Sequence, residues 1–79
     1  SKGFLYPLHE LMLVVEDKPG VIAEVATSLS DAGINIKDIE VLKVREGEGG
    51  SLRLGFRASD EKERAGQIMT ALGYTVLSR

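Results

Sequence analysis

Two stretches of this chain repeat each other forty positions apart. Leu29, Ala32, Gly33, Ile34 and Ile36 match Met69, Leu72, Gly73, Tyr74 and Val76. Each stretch closes an apolar helical stripe, supplies a glycine able to stop the helix in the left-handed region, and opens an extended run. With 79 residues there is room for one domain at most, so the two stretches belong to one fold.

The elements around that repeat can be read in order. Leu8 to Glu16 is a strand, apolar on both faces: Leu11, Leu13 and Val15 on one, Met12 and Val14 on the other. Pro19 to Ala32 is a helix with Ile22, Val25, Ala26 and Leu29 as its stripe. Ile34 to Arg45 is a long strand whose alternation slips near Asp38, which a bulge at Lys37-Asp38 would reconcile. Gly47-Glu48-Gly49-Gly50 is a hairpin turn, and Ser51 to Ala58 returns with Leu52, Leu54 and Phe56 on one face and Arg53 and Arg57 on the other. Asp60 with Glu63 gives a capping box for a second helix running to Leu72, with Ala65, Ile68, Met69 and Leu72 as its stripe. Tyr74 to Leu77 is a last strand.

Strand, helix, strand, strand, helix, strand is the α+β, ferredoxin-like order βαββαβ. Right-handed crossovers place both helices on one face of a four-stranded antiparallel sheet, over Ile22, Val25, Leu29, Ile68, Met69 and Leu72. The other face is left open, and its apolar residues call for a second copy of the chain, a homodimer. The long strand is an outer one, and pairing it would remove an exposed edge. Residues 1–7 read as a lead-in segment or linker remnant and 8–79 as the domain.

Composition narrows the function. The formal net charge is −2 with no basic face, which argues against nucleic acid. There are no cysteines, so thiolate metal sites and a disulfide framework are excluded, and a reducing cytoplasm is compatible. No apolar stretch approaches the ~20 residues of a membrane span. The single histidine, His9, has no nucleophile near it in sequence, and no catalytic or metal-binding constellation can be assembled. An RNA-recognition sheet would need several stacking aromatics on its third strand, where Phe56 stands alone. Arg53 and Arg57 are read as solvated strand residues in preference to contacts with a partner domain.

The chemistry-bearing stretch is Asp17-Lys18-Pro19-Gly20-Val21-Ile22. Pro19 fixes its own φ and pushes Lys18 toward extended backbone, and Gly20 lets a ligand approach the chain closely. The helix start that follows has unpaired N–H groups and the positive end of the helix dipole, which suit a carboxylate. Asp17 either holds an ammonium or caps the helix; a free amino acid carries both charges. Asn35, after Gly33, either contacts a ligand or serves as a turn residue.

These residues resemble an ACT domain. The strand leading into Asp17-Lys18-Pro19-Gly20-Val21-Ile22, then Gly33-Ile34-Asn35-Ile36, is similar to the family's signature. Gly3 through Ile22, Asn35 to Ile39, Arg45-Glu46 and Gly50 to Phe56 are similar, more narrowly, to the C-terminal ACT domain of bacterial prephenate dehydrogenases.

The resemblance implies a regulatory domain without catalytic residues or cofactor. It would pair with a second copy, bind an amino acid between copies, and control an upstream NAD-dependent catalytic domain of cytoplasmic tyrosine biosynthesis. Asp17 stands where amino-acid-binding members often carry Asn or Asp, Gly20 matches the turn glycine, and Asn35 matches an Asn that often contacts ligand; with Lys18, Pro19, Val21, Ile22 and Ile36 beside them they make the expected ligand-binding set. Val15 stands where serine-binding members carry a histidine, which disfavours serine and leaves an apolar or aromatic ligand side chain open. The alternative is a structural pairing domain that binds nothing.

Overall fold

The computed structural model describes residues 7–16, 18–43 and 49–77, with Lys43 described by its backbone alone. Residues 1–6, Asp17, the Gly47-Glu48 part of the hairpin turn and the end of the long strand at Arg45 lie outside the described residues. The elements are β1 (His9–Val15), α1 (Val21–Asp31), β2 (Asp38–Lys43), β3 (Gly50–Phe56), α2 (Ser59–Ala71) and β4 (Thr75–Leu77). The sheet order is β2-β3-β1-β4, and every neighbouring pair is antiparallel.

Register decides which residues share a face. Leu11 lies opposite Leu54, and Leu13 opposite Leu52. These leucines, with Phe56, form one buried cluster with Val25 and Leu29 of α1 and Ala65 and Met69 of α2. Both helices therefore cover the same face, giving the ferredoxin-like α+β architecture. The opposite face carries Glu10, Met12 and Val14 of β1, Arg53 of β3, and Glu40 of β2.

The forty-residue repeat has a shared hydrogen-bond pattern beneath it. Ile34 N–H donates to the Leu29 carbonyl at 2.9 Å and Gly33 N–H to that of Ser30 at 2.9 Å. Tyr74 N–H donates to Met69 at 3.0 Å and Gly73 N–H to Thr70 at 3.0 Å. These are two Schellman closures, and each needs its glycine at positive φ: 78° at Gly33 and 97° at Gly73.

Four expectations need correction. Helix α1 begins at Val21 rather than Pro19, so Val21, Val25 and Leu29 point inward and Ile22 is turned out, 47% exposed. Leu72 is the C-cap of α2, past its last inward turn, and is 46% exposed. The capping box does not form: Ala58 is the N-cap, and Asp60 sits inside the first turn, where its charge suits the dipole. The slip near Asp38 is no bulge, because β2 starts there and residues 34–37 are a connecting segment with Ile34 buried in the core. Lys37 N–H still reaches the Gly55 carbonyl at 2.9 Å.

Candidate ligand site at the start of α1

The turn after β1 is held by a hydrogen bond from Lys18 N–H to the Glu16 carbonyl, 3.1 Å. Above it, Lys18 Nζ meets Glu16 Oε1 at 3.2 Å, an exposed pair that adds little stability. Gly20 is the N-cap of α1, at φ 90° and ψ −10°. Its carbonyl accepts Glu24 N–H at 2.9 Å, so the helix is properly started. A glycine cap has no side chain to return to the first N–H groups, and among the described residues no side chain caps those of Val21 and Ile22. Among the described residues, a Cβ on Gly20 would meet nothing within 4 Å.

A recess of about 120 Å³ lies beside this helix start. Val15, Val21, Ile22, Val41 and Leu52 supply its apolar wall, and Glu16 and Lys18 stand at its polar side. Anion donors next to an apolar recess, with charges of both signs at hand, are the groups that a small zwitterion with an apolar side chain would need. A second recess of about 400 Å³ opens toward β4, where the Tyr74 hydroxyl donates to the Glu24 carboxylate. That bond, more than partial burial, raises the tyrosine to about 12.

Lys18, Pro19, Gly20, Val21 and Ile22 are thus gathered at one end of the sheet. Asn35 and Ile36 are not with them. They follow the far end of α1, an 11-residue helix and so about 16 Å away. Asn35 is exposed there, and Ile36 packs against the core. Asp17 lies outside the described residues. The sequence reading missed Val41 and Leu52 as wall residues; the only signal was that both fall on the helix-side parity of adjacent strands.

Arg53 also departs from expectation. It is no solvated bystander: Nε donates to Glu40 Oε1 at 2.9 Å, one terminal nitrogen to Asp38 Oδ2 at 2.8 Å, and the other to Glu10 Oε2 at 3.0 Å. These bonds, that to Asp38 foremost, raise its already high pKa further. Among the described residues, no helix is long and apolar enough to cross a membrane, and no group of three or more acidic or histidine side chains is placed to hold a metal.

Comparison with known proteins fits this arrangement. The model of the ACT domain family matches residues 9–72. Prephenate dehydrogenase of Bacillus subtilis (strain 168) is 36% identical over 71 residues, which cover 90% of this chain and 19% of that enzyme. The chain thus spans about a fifth of that relative's length. The crystal structure of the ACT domain of prephenate dehydrogenase tyrA from Bacillus anthracis superposes with a TM-score of 0.81 at 30% identity, over 87% of this chain and all of that one. The regulatory subunit of aspartate kinase from Thermus flavus gives 0.77 at 17% identity, over 90% of this chain and 50% of that one, a likeness of fold alone. The chain belongs to the ACT domain family.

Proposed function

We propose that this domain is the amino-acid sensor of a prephenate dehydrogenase of tyrosine biosynthesis, working as a homodimer and controlling an upstream NAD-dependent catalytic domain in the cytoplasm. The observation that carries the reading is the open, glycine-capped helix start beside an apolar recess. The effector's carboxylate sits on the N–H groups of Val21 and Ile22, its ammonium faces Glu16 or Asp17, and its apolar or aromatic side chain enters the recess. Its natural candidates are tyrosine and phenylalanine. Coupling to the enzyme would be about 1–3 kcal/mol, as is usual for allosteric effectors.

Titration calorimetry with tyrosine, then phenylalanine, tests this. Gly20→Val places a branched side chain at positive φ in the path of the carboxylate and should abolish binding while the helices persist. Asn35 lies about 16 Å from this helix start in its own chain and would meet the ligand only from a paired copy; in that pairing Asn35→Ala should weaken binding by about 0.5–1.5 kcal/mol, the worth of one hydrogen bond. If Gly20→Val binds as the parent does, the site lies elsewhere. If the parent binds no amino acid, the second reading, a pairing domain alone, takes over; the exposed apolar residues of β2 favour pairing with or without a ligand.

A further inference from the structure

We infer that Gly50 sets the size of the effector this domain accepts: the side chain that Gly50 lacks is the space that a bulky apolar amino acid fills. The inference deepens the proposed reading of the recess as the effector's side-chain site and rests on it.

Gly50 breaks a run of large residues. The helix-side positions of β3 are Gly50, Leu52, Leu54 and Phe56, and the last three are fully buried. Gly50 is paired on both sides, opposite Val15 of β1 and Lys43 of β2. Glycine is a poor choice for such a position, because it packs nothing and weakens a strand. Backbone geometry does not call for it either. The turn's demand for left-handed backbone falls on Gly49, at φ 80°, whereas Gly50 has no positive φ and could carry a side chain without strain.

The recess gives the bare position a use. From the sheet it is lined by Val15, Gly50, Leu52 and Val41, and from the helix start by Val21 and Ile22. A Cβ on Gly50 would share the direction of the Leu52 side chain, two residues along the strand, and so point to the helix side, where the recess lies. Uncovered backbone at Gly50 therefore deepens the recess beside Val15 and Leu52. With the ligand's carboxylate at the N–H groups of Val21 and Ile22, a phenyl ring uses that depth and a short side chain does not. The ligand class is the α-amino acids with bulky apolar side chains, and Gly50 is the residue that selects for size.

The test is titration calorimetry of this chain and its Gly50→Ala and Gly50→Val variants with phenylalanine and with valine, beside thermal melts without ligand. Both variants should melt at or above the parent's temperature, since a strand interior favours a side chain and a branched one most. Gly50→Ala should weaken phenylalanine binding about tenfold, the effect of one carbon in an apolar pocket, and Gly50→Val about a hundredfold. Valine reaches less far into the recess and should lose less in both variants. Phenylalanine binding unchanged in Gly50→Val overturns the inference and leaves the sensor reading standing, as does an equal loss for phenylalanine and valine. A Gly50→Val chain that melts well below the parent also overturns it, because the protein's own atoms would then need the space. A parent that binds no amino acid strikes the sensor reading itself, and the inference falls with it.

Discussion

The Tyr74 hydroxyl donates to the Glu24 carboxylate and so ties the residue before β4 to the first turn of α1, fifty positions away in sequence. Losing the phenol proton would set a phenolate against that carboxylate, so the folded state holds the proton more tightly than the usual value of 10.0 and titrates at about 12. A group whose pKa rises on folding lends stability that is full below its unfolded pKa and is lost as pH climbs through the folded one. Tyr74 therefore contributes fully at neutral pH, and its contribution fades between about pH 10 and 12. Tyr74→Phe should cost about 0.5–1.5 kcal/mol at pH 7 and should flatten the alkaline decline. Urea melts of parent and variant from pH 7 to 11.5 check both; parallel declines would show that the bond has no part in it.

The core gives a sharper contrast between two leucines that the sequence treats alike. Leu29 is fully buried between helix and sheet, whereas Leu72 is 46% exposed at a helix end. Leu29→Ala should cost about 2–5 kcal/mol through lost burial and the cavity left behind. Leu72→Ala and Ile22→Ala should each cost under about 1 kcal/mol, since little area returns to water. Denaturant melts of the three variants decide, and similar losses for Leu29 and Leu72 would contradict the packing described.

The element order was legible because its signals are local. Alternation in β3, the helical stripes and the two stop glycines at Gly33 and Gly73 each act within a few residues. What was not legible depends on where α1 is entered. Gly20 at positive φ delays the helix by two residues, and that shift rotates Ile22 outward and Val21 inward. No periodicity count sees it, because Val21 and Ile22 are both apolar. The recess was hidden likewise, since Val41 and Leu52 reach the helix start only through the β2–β3 register. Arg53 was misjudged because its three carboxylates come from two neighbouring strands.

Arg53 should be worth more than an ordinary surface cation. Replacing it with methionine keeps much of the side chain's bulk but leaves Glu10, Asp38 and Glu40 facing one another across three strands. The expected loss is about 1–2 kcal/mol, a few exposed cross-strand ion pairs together, shrinking in high salt. Arg53→Lys should fall between parent and methionine variant, because an ammonium lacks the planar fork that serves three carboxylates at once. Melts at low and high salt measure this, and a methionine variant as stable as the parent at low salt would refute it.

The last prediction concerns the β2 edge. Ile39 and Val41 share the helix-side parity of the core leucines yet are 42% and 59% exposed, because α2 packs over β1, β3 and β4 and leaves this strand uncovered. An outer strand with unpaired backbone and exposed branched residues invites pairing with its own copy. Antiparallel pairing across a two-fold must keep like faces together, which leaves few registers. Centring on Glu40 sets two carboxylates opposite each other, and centring on Ile39 sets Asp38 against Glu40, both unfavourable. Centring on Val41 places Val41 against its partner's and Glu40 against Leu42, with no like charges opposed. This arrangement also reverses one copy relative to the other, so the Asn35 end of one domain lies beside the Gly20 end of its partner. The 16 Å gap within a single chain would then be closed between chains, and ligand affinity should rise with dimerisation. Ile39→Lys would put a charge into this seam without touching the recess, which Val41 lines. Sedimentation should show a dimer for the parent at micromolar concentration and a monomer for Ile39→Lys, with an unchanged far-ultraviolet spectrum. Calorimetry on the monomeric variant should show tyrosine binding weakened about tenfold or more, the equivalent of about 1.4 kcal/mol. An Ile39→Lys protein that stays dimeric, or a monomer that binds tyrosine as the parent does, would rule out this interface as the one that completes the site.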